Sequence, residues 1–183
     1  TAKCHGCGAC VGECPHDSIT QLHYTDAVIL AQIRTLLATE PEKKILALRC
    51  HWCSYGGADL AGTSHFEYSA NERGIKVMCS ARMDADFIYE AYRLGAGAVL
   101  FSGCHPQDCH YITGQVSGSK RANRLKTIFE RMGMSPGRFR IEWISAAEGD
   151  KYARVINEMQ ATLDAIPPEA LKEEIERLRP EMA

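Results

Sequence analysis

The sequence predicts an α/β protein with a doubly wound, mostly parallel four-stranded sheet, with helices on both faces, behind a short cysteine-rich segment. Four apolar runs, at residues 44–50, 74–80, 96–104 and 138–145, alternate with amphipathic helical stretches along the 183 residues. Strict alternation of strand and helix indicates right-handed crossovers and a parallel sheet. A content of 45% hydrophobic and 24% charged residues is that of an ordinary globular protein.

The first element is a cysteine loop with the spacing C-x2-C-x2-C-x3-C-P. Its cysteines are Cys4, Cys7, Cys10 and Cys14. This spacing is typical of ferredoxin loops that bind 4Fe–4S clusters. Because only one copy is present and Thr1 is not a natural initiator, we interpret residues 1–40 as a truncated ferredoxin-like segment cut from a longer protein, plus a helix.

The helix that follows the loop is predicted over residues 25–37. Thr25 or Asp26 is its cap, and Pro41 ends it in a polar linker. One of its faces is apolar and is formed by Ile29, Leu30, Ile33, Leu36 and Leu37.

Beyond the linker, residues 43–166 form the predicted α/β domain. Its helices are expected at 58–68, 85–95, 119–133 and 150–166. Gly95 and Gly133 stand where two of these helices end. Residues 167–183 form a charged tail helix, which we expect to be a solvated lid or an interface arm.

Five further cysteines follow the predicted strands. Cys50, Cys79 and Cys104 each end one strand, Cys53 lies one helical turn past Cys50, and Cys109 follows Cys104 in a short loop. The carboxyl ends of parallel strands emerge at one edge of the sheet, where open α/β folds bind ligands. Five thiols are therefore predicted to converge at that edge.

This convergence indicates a metal or cluster site. The close pairs C-x2-C and C-x4-C, set in polar loops, are typical of metal ligands, whereas Cys79 alone is also explained as a small buried hydrophobe. Four thiolates bind either zinc or a 2Fe–2S cluster, and spacing does not separate the two. The 4Fe–4S loop favours iron and sulfide, because a protein that carries one cluster is expected to use a second site for electrons too.

Imidazole and aromatic side chains flank these cysteines. His51, His105 and His110 are candidates for a Rieske-like ligand set, but we expect them to donate hydrogen bonds to sulfur or to be plain loop residues. Trp52 and Tyr55, beside Cys53, are expected to shield the site from water.

Charge and hydropathy exclude several classes of function. A net charge of -2 gives no reason to expect nucleic acid, and no apolar run approaches the roughly 20 residues of a membrane span. Nine cysteines in uneven groups argue against a disulfide framework and for thiolate ligands in a reducing compartment. We therefore expect a cytoplasmic protein without nucleic-acid or membrane partners.

Longer motifs carry a resemblance to a known family. The stretches CHWCSYGGADLAG, IKVMCSARMD and LGAGAVLFSGCHPQDCHYITG resemble the delta (iron–sulfur) subunit of methyl-viologen-reducing hydrogenase, over about residues 43–160. Residues 1–40 resemble the C-terminal ferredoxin region and last helix of the heterodisulfide reductase A subunit, so the chain looks like the tail of a fusion. Ala81 departs from the pattern, where a glycine is expected; this is a small loss of backbone freedom.

The resemblance implies an electron-transfer module with no substrate chemistry of its own. Its 2Fe–2S ligands are expected to be four of Cys50, Cys53, Cys79, Cys104 and Cys109, and Cys79 is the first to leave out because it lacks a close pair. Cys4, Cys7 and Cys10 would bind one 4Fe–4S cluster with a fourth ligand upstream, and Cys14 would serve a neighbouring cluster.

The implied partners are the FAD-carrying domain of a heterodisulfide reductase and its other subunits. Electrons would come from a hydrogenase or a formate dehydrogenase and would be bifurcated at the flavin. Two alternatives stay open on the residues alone. One is a structural zinc adaptor that docks an oxidoreductase, and the other is a thiol redox domain with Cys50 or Cys53 as the attacking thiolate.

Overall fold

The computed structural model describes residues 4–182. Its strands are β1 (Ile45–Cys50), β2 (Glu72–Val77), β3 (Ala98–Gly103) and β4 (Phe139–Trp143). Its helices are α1 (Ala9–Gly12), α2 (Asp26–Leu36), α3 (Ser54–Thr63), α4 (Ala85–Arg93), α5 (Gly114–Arg131), α6 (Gly149–Asp164) and α7 (Pro168–Leu178). Short 3-10 turns lie at Pro41–Lys43, Ser80–Arg82 and Arg179–Met182.

The four strands form one parallel sheet in the order β2-β1-β3-β4. This arrangement confirms the predicted fold class. The chain leaves β1 toward β2 on one side and returns to place β3 on the other side of β1. The strand order therefore reverses between β1 and β3, and this topological switch point is where open α/β sheets bind ligands.

Alternate residues of the central strands supply the two faces of the sheet. Leu46 and Leu48 pack in a core with α2, α4 and α5. Ile45 and Ala47 pack in a second core with α3 and α6. Because successive side chains of a strand point to opposite faces, an unbroken apolar run is what a strand covered on both sides requires.

Helix α2 belongs to the first of these cores. The Thr25 hydroxyl accepts a hydrogen bond from the Val28 amide at 3.3 Å, which confirms Thr25 as the cap. Ile29, Ile33 and Leu37 of the predicted apolar face are buried, and Leu30 and Leu36 are half-buried. The helix after the cysteine loop is thus packed on the sheet domain.

Three predicted elements are displaced along the chain, and one of them, α5, starts at Gly114 rather than at residue 119. The second strand ends at Val77, so Cys79 lies beyond it, at the entrance of the turn Ser80–Arg82. Helix α3 starts at Ser54 rather than at residue 58, although two glycines disfavour a helix there. Tertiary packing prevails, since a Cβ on Gly57 would lie 2.7 Å from the Ser145 carbonyl oxygen.

The tail helix α7 packs on the domain, in contrast to the predicted solvated lid or interface arm. Leu171, Ile175 and Leu178 are buried, and Glu174 pairs with the buried Arg138 at 2.6 Å. The tail helix therefore has an apolar face, spaced between charged residues in the sequence, and this face packs on the domain. Within residues 4–182, none of the helices combines the length and apolarity that crossing a bilayer requires.

Candidate metal centre

Five cysteines meet at the carboxyl end of the sheet, and we call this set the cysteine edge: Cys50, Cys53, Cys79, Cys104 and Cys109. Cys50 is the last residue of β1, and Cys104 directly follows β3. The two strands are neighbours at the switch point, so both side chains leave the sheet side by side. Their Sγ atoms lie 3.8 Å apart, and both residues are buried.

The other three thiols approach this pair from the segments that follow the strands. Cys53 directly precedes α3 and is half-buried, and Cys79 is fully buried where the turn Ser80–Arg82 begins. Cys109 is buried before α5, and its sulfur accepts a hydrogen bond from the Gln115 amide at 3.3 Å. The predicted convergence of five thiols is therefore what the fold produces.

Backbone geometry keeps room for these sulfurs. A Cβ on Gly114 would lie 2.4 Å from Cys79 Sγ and in van der Waals contact with Cys109 Sγ at 3.5 Å, so a side chain at the start of α5 would displace the Cys79 sulfur. The Ser54 hydroxyl accepts a hydrogen bond from the Cys50 amide at 2.8 Å and fixes the end of β1 relative to α3. Small residues and local hydrogen bonds thus position the cysteine edge.

The pKa values of these thiols are shifted in opposite directions. Hydrogen bonds from Cys50 and then Cys53 lower the pKa of Cys104 to about 3, and a hydrogen bond from Cys50 lowers the pKa of Cys79 to about 7. The same interactions with Cys104, together with burial, raise the pKa of Cys50 and of Cys53. The thiols therefore favour a shared negative charge, and binding of a cation would release the protons that they still hold.

The donor set fits a thiophilic metal centre. A tetrahedral ion with metal–sulfur bonds of about 2.3 Å holds two thiolates about 3.8 Å apart, which is the separation of Cys50 and Cys104. An all-thiolate set selects zinc or iron–sulfur clusters over magnesium or calcium. Within residues 4–182, no three cysteine, histidine or acidic side chains already have the geometry of a single-ion site.

An aromatic cluster adjoins the cysteine edge, next to Cys53 and Cys109 in the chain. The Trp52 ring stacks on His110 with centroids 3.7 Å apart, and Trp52 Nε1 donates a hydrogen bond to the Tyr111 hydroxyl at 2.9 Å. His51 contacts Trp52 edge to face. Tyr55, the other expected shield, instead lies against the cations of Arg49 and Lys76.

The three flanking histidines differ in their surroundings. His105 Nε2 lies 2.6 Å from Glu148 Oε2, and a backbone hydrogen bond from Ser145 lowers the pKa of Glu148 to about 2. His110 is taken up by the stack with Trp52. His51 Nδ1 is buried without a hydrogen-bond partner among the described residues. Two of the three imidazoles thus have partners other than a metal.

The N-terminal loop, residues 4–14, lies beside the cysteine edge. Cys4 and Cys10 are exposed, and Cys14 is half-buried. Cys7 packs against the core that α2, α4 and α5 form with the sheet. Burial raises the pKa of Tyr111, and nearby Cys79 and Cys7 raise it further. The loop contacts the turn that follows Cys79, since a Cβ on Gly12 would lie 2.9 Å from the Ala81 carbonyl oxygen.

Comparison with known proteins decides the family. Residues 45–166 match the family described as methyl-viologen-reducing hydrogenase, delta subunit. The chain belongs to this delta-subunit family. Residues 1–20 match a 4Fe-4S binding domain, so the chain joins the two modules that its motifs predict.

Relatives of this delta-subunit chain come from two kinds of protein. The D (iron-sulfur) subunit of the vhc F420-non-reducing hydrogenase of Methanococcus voltae is 40% identical over 137 residues, which cover 75% of this chain and 95% of that relative. The A subunit of the ferredoxin/F(420)H(2)-dependent CoB-CoM heterodisulfide reductase of Methanosarcina acetivorans is 42% identical over 147 residues, or 80% of this chain. The A subunit of the ferredoxin:CoB-CoM heterodisulfide reductase of Methanosarcina mazei is 42% identical over 152 residues, or 82% of this chain. The chain spans 18% and 19% of the length of these two reductase proteins.

Several residues of the centre escape prediction from sequence. Gly114 matters because Cys79 Sγ lies close to where a Cβ would stand, and Gln115 because its backbone amide donates to Cys109 Sγ. Neither role can be recognised from the residue type. Tyr111 had a usable signal, since it is an aromatic residue two positions after Cys109. Ala81 lies in the 3-10 turn without a positive φ, so the expected loss of backbone freedom has no consequence there.

Proposed function

We propose that the chain is an electron-transfer module whose cysteine edge binds a 2Fe–2S cluster. The observation that carries the proposal is the Cys50–Cys104 pair, with sulfurs 3.8 Å apart at the switch point of the sheet and further thiols around it. The proposed ligands are Cys50, Cys53, Cys104 and Cys109. Cys79 is the fifth candidate, and it is the one that lacks a close partner in the sequence.

The protein's own groups would set the properties of this centre. A bound 2Fe–2S cluster supplies reversible one-electron transfer. The Gln115 amide donates to the Cys109 sulfur, and such hydrogen bonds stabilise negative charge on a thiolate. Trp52 and Tyr111 limit the access of water from one side. The role proposed for the polypeptide is to hold and tune the relay, without substrate chemistry of its own.

The N-terminal loop is the proposed second station. Its match to a 4Fe-4S binding domain and its place beside the cysteine edge support a 4Fe–4S cluster on Cys4, Cys7 and Cys10, with Cys14 serving a neighbouring cluster. Two cluster sites on adjoining segments suit stepwise transfer between them.

The relatives point to the partners that this relay would connect. Their names include a hydrogenase iron-sulfur protein and heterodisulfide reductase A subunits. We propose that electrons from a hydrogenase or formate dehydrogenase pass through this chain to the FAD of a heterodisulfide reductase, for bifurcation there. This exchange would take place in the cytoplasm.

Metal analysis with spectroscopy tests the proposal. The chain is purified without oxygen, iron, sulfide and zinc per chain are quantified, and EPR spectra are recorded after dithionite reduction. The 2Fe–2S cluster predicts about two irons and two sulfides at the cysteine edge and a spin-half signal that survives in the Cys4→Ser/Cys7→Ser/Cys10→Ser variant. One zinc with no sulfide and no signal would contradict electron transfer by this domain and favour the zinc adaptor.

A further inference from the structure

Arg82 is a buried cation at the junction between the N-terminal loop and the cysteine edge. It closes the turn Ser80–Arg82 that directly follows Cys79, and it is fully buried. Its Nη2 donates hydrogen bonds to the Tyr24 carbonyl oxygen at 2.9 Å and to Asp26 Oδ1 at 2.6 Å. The ion pair ties the turn to the start of α2.

Much of the hydrogen-bonding capacity of this guanidinium is unused. Nε and Nη1 of Arg82 are buried and have no hydrogen-bond partner among the described residues. A guanidinium carries five N–H donors, and leaving buried donors unpaired is unfavourable. Packing alone would be served better by an apolar side chain, so the retained charge points to a function.

The loop side of this junction is in close contact with Arg82. Gly8 stands between Cys7 and Cys10 with φ +79°, and a Cβ there would lie 2.7 Å from Arg82 Cδ and 3.1 Å from Arg82 Cβ. The same position lies 2.5 Å from Gln21 Oε1, a buried acceptor that also has no partner among the described residues. The backbone of the loop therefore rests directly on the Arg82 side chain.

A second arginine joins the same two segments from α5. Arg121 Nη1 donates to the carbonyl oxygens of Ala81 and Met83, both at 3.0 Å. Its Nη2 donates to the Gly12 carbonyl oxygen at 2.6 Å and pairs with Glu13 at 3.1 Å. Arg121 thus links the turn after Cys79 to the helix that contains Cys10 by hydrogen bonds, and Arg82 packs against Gly8 just before that helix.

We propose that Arg82 is a positioning residue that holds the N-terminal cysteine loop against the cysteine edge and whose buried charge raises the reduction potential of the cluster on that loop. Each one-electron reduction adds a negative charge to the loop site, and a nearby cation in a water-poor environment favours the more negative form. The charge effect rests on the proposed function, because it requires a cluster on Cys4, Cys7 and Cys10. The positioning effect is a property of the polypeptide alone.

The test compares Arg82→Met, which removes the charge, with Arg82→Lys, which keeps it. Arg138→Met is the matched control, because Arg138 is the other large, fully buried arginine and ties β4 to α7 instead of to the loop. Thermal unfolding of all three variants measures any general loss of stability. Effects that Arg82→Met shares with an equally destabilised Arg138→Met are then assigned to lost stability and not to the N-terminal loop.

The first readout needs no cluster. In the iron-free, reduced chain, the rate of alkylation of Cys7 by N-ethylmaleimide is followed by mass spectrometry, with exposed Cys10 as the internal reference. Arg82→Met is expected to accelerate alkylation of Cys7 about tenfold or more relative to Cys10, because the loop opens more often. Arg138→Met is expected to match the unmodified chain, and an unchanged rate in Arg82→Met would overturn the positioning role.

The second readout is the midpoint potential of the 4Fe–4S signal in an EPR-monitored titration of the chain extended by an upstream segment that supplies the fourth cluster ligand. Arg82→Met is expected to shift the midpoint potential to more negative values. Arg82→Lys is expected to keep it close to that of the unmodified chain, and Arg138→Met to leave it unchanged. A lysine variant that behaves like methionine, or no shift at all, would overturn the charge effect. If the extended chain with Arg82 in place shows no 4Fe–4S signal, the loop cluster of the proposed function and the charge effect both fail, and alkylation alone decides the positioning role.

Discussion

The sulfurs of Cys50 and Cys104 lie 3.8 Å apart across the switch point of the sheet, although 54 residues separate them in the chain. The pair arises because β1 and β3 are neighbours and end at the same edge. The close sequence pairs, Cys50 with Cys53 and Cys104 with Cys109, are therefore joined into one site by a contact between their first members. The Cys50–Cys104 contact is what makes these four thiols a single centre.

Serine substitutions test this assignment. Cys50→Ser and Cys104→Ser are expected to abolish most of the iron and sulfide at the cysteine edge, because both would ligate from the buried centre of the site. Cys79→Ser is expected to retain the cluster. Iron, sulfide and the spin-half EPR signal of anaerobically prepared variants are the measurements, with Cys14→Ser in the N-terminal loop as the control that leaves this signal unchanged. If Cys79→Ser loses the signal and Cys109→Ser retains it, the fourth ligand is Cys79 and not Cys109.

Gly114→Ala is expected to disturb the cysteine edge through a single methyl group. The new Cβ would lie 2.4 Å from Cys79 Sγ, and overpacking of this kind costs about 1–3 kcal/mol of unfolding free energy. Urea unfolding of the iron-free chain measures the loss, and iron content measures the effect on the site. Gly62→Ala in α3 is the control, since nothing lies within 4 Å of its Cβ position, and it is expected to be neutral or stabilising by up to about 1 kcal/mol. Equal effects of the two changes would show that crowding at the sulfurs is not the cause.

Trp52→Ala is expected to make the cluster more sensitive to air. Trp52 directly precedes Cys53 in the chain. Its indole stacks on His110 and bonds to Tyr111, and we expect its loss to admit water and oxygen to the site. The decay of visible absorbance after exposure to air is the measurement. Phe66→Ala is a matched control, because Phe66 is 43% exposed against 42% for Trp52 and lies beside α6. Identical decay in both variants would contradict a protective role for Trp52.

Glu174 is expected to give the fold a pH-dependent stability. Burial acts to raise the pKa of Glu174, but hydrogen bonds from Ser135 and the charge of Arg138 outweigh it and hold the pKa below its ordinary value of 4.5. A carboxylate with a lowered pKa contributes stability above its unfolded value and loses it as the pH falls through the folded one. Glu174→Gln should therefore cost about 1–3 kcal/mol at pH 7, with the difference shrinking below pH 4.5.

Urea unfolding at pH 7, 5 and 3.5 measures this dependence. Glu173→Gln is the control, since its neighbour Glu173 is exposed on the same helix, and it is expected to change stability little at any of these pH values. A difference between the Glu174 variant and the unmodified chain that stays constant down to pH 3.5 would contradict the ionic contribution.

Much of this protein is determined by local sequence. The apolar runs around Leu46 and Val99 indicate strands buried on both faces, and their alternation with amphipathic helices predicts the parallel sheet. Thr25 and Gly95 mark helix ends by local hydrogen bonding and by a positive φ of 96°, respectively. The cysteine spacings predict thiolate chemistry, because ligand pairs on one turn are local features. The start of α3 differs from its prediction because Ser145, far away in the chain, packs against Gly57.

Only the tertiary structure decided how the cysteines are arranged. Strand order places β1 beside β3, and no local pattern encodes which strands are neighbours, since that choice depends on how all helices cover the sheet. The same holds for Arg82, whose position in the sequence gives no sign that it lies beneath Gly8 of the N-terminal loop. Sequence specifies which residues carry the chemistry by their type and spacing. Packing of segments far apart in the chain decides which of them meet.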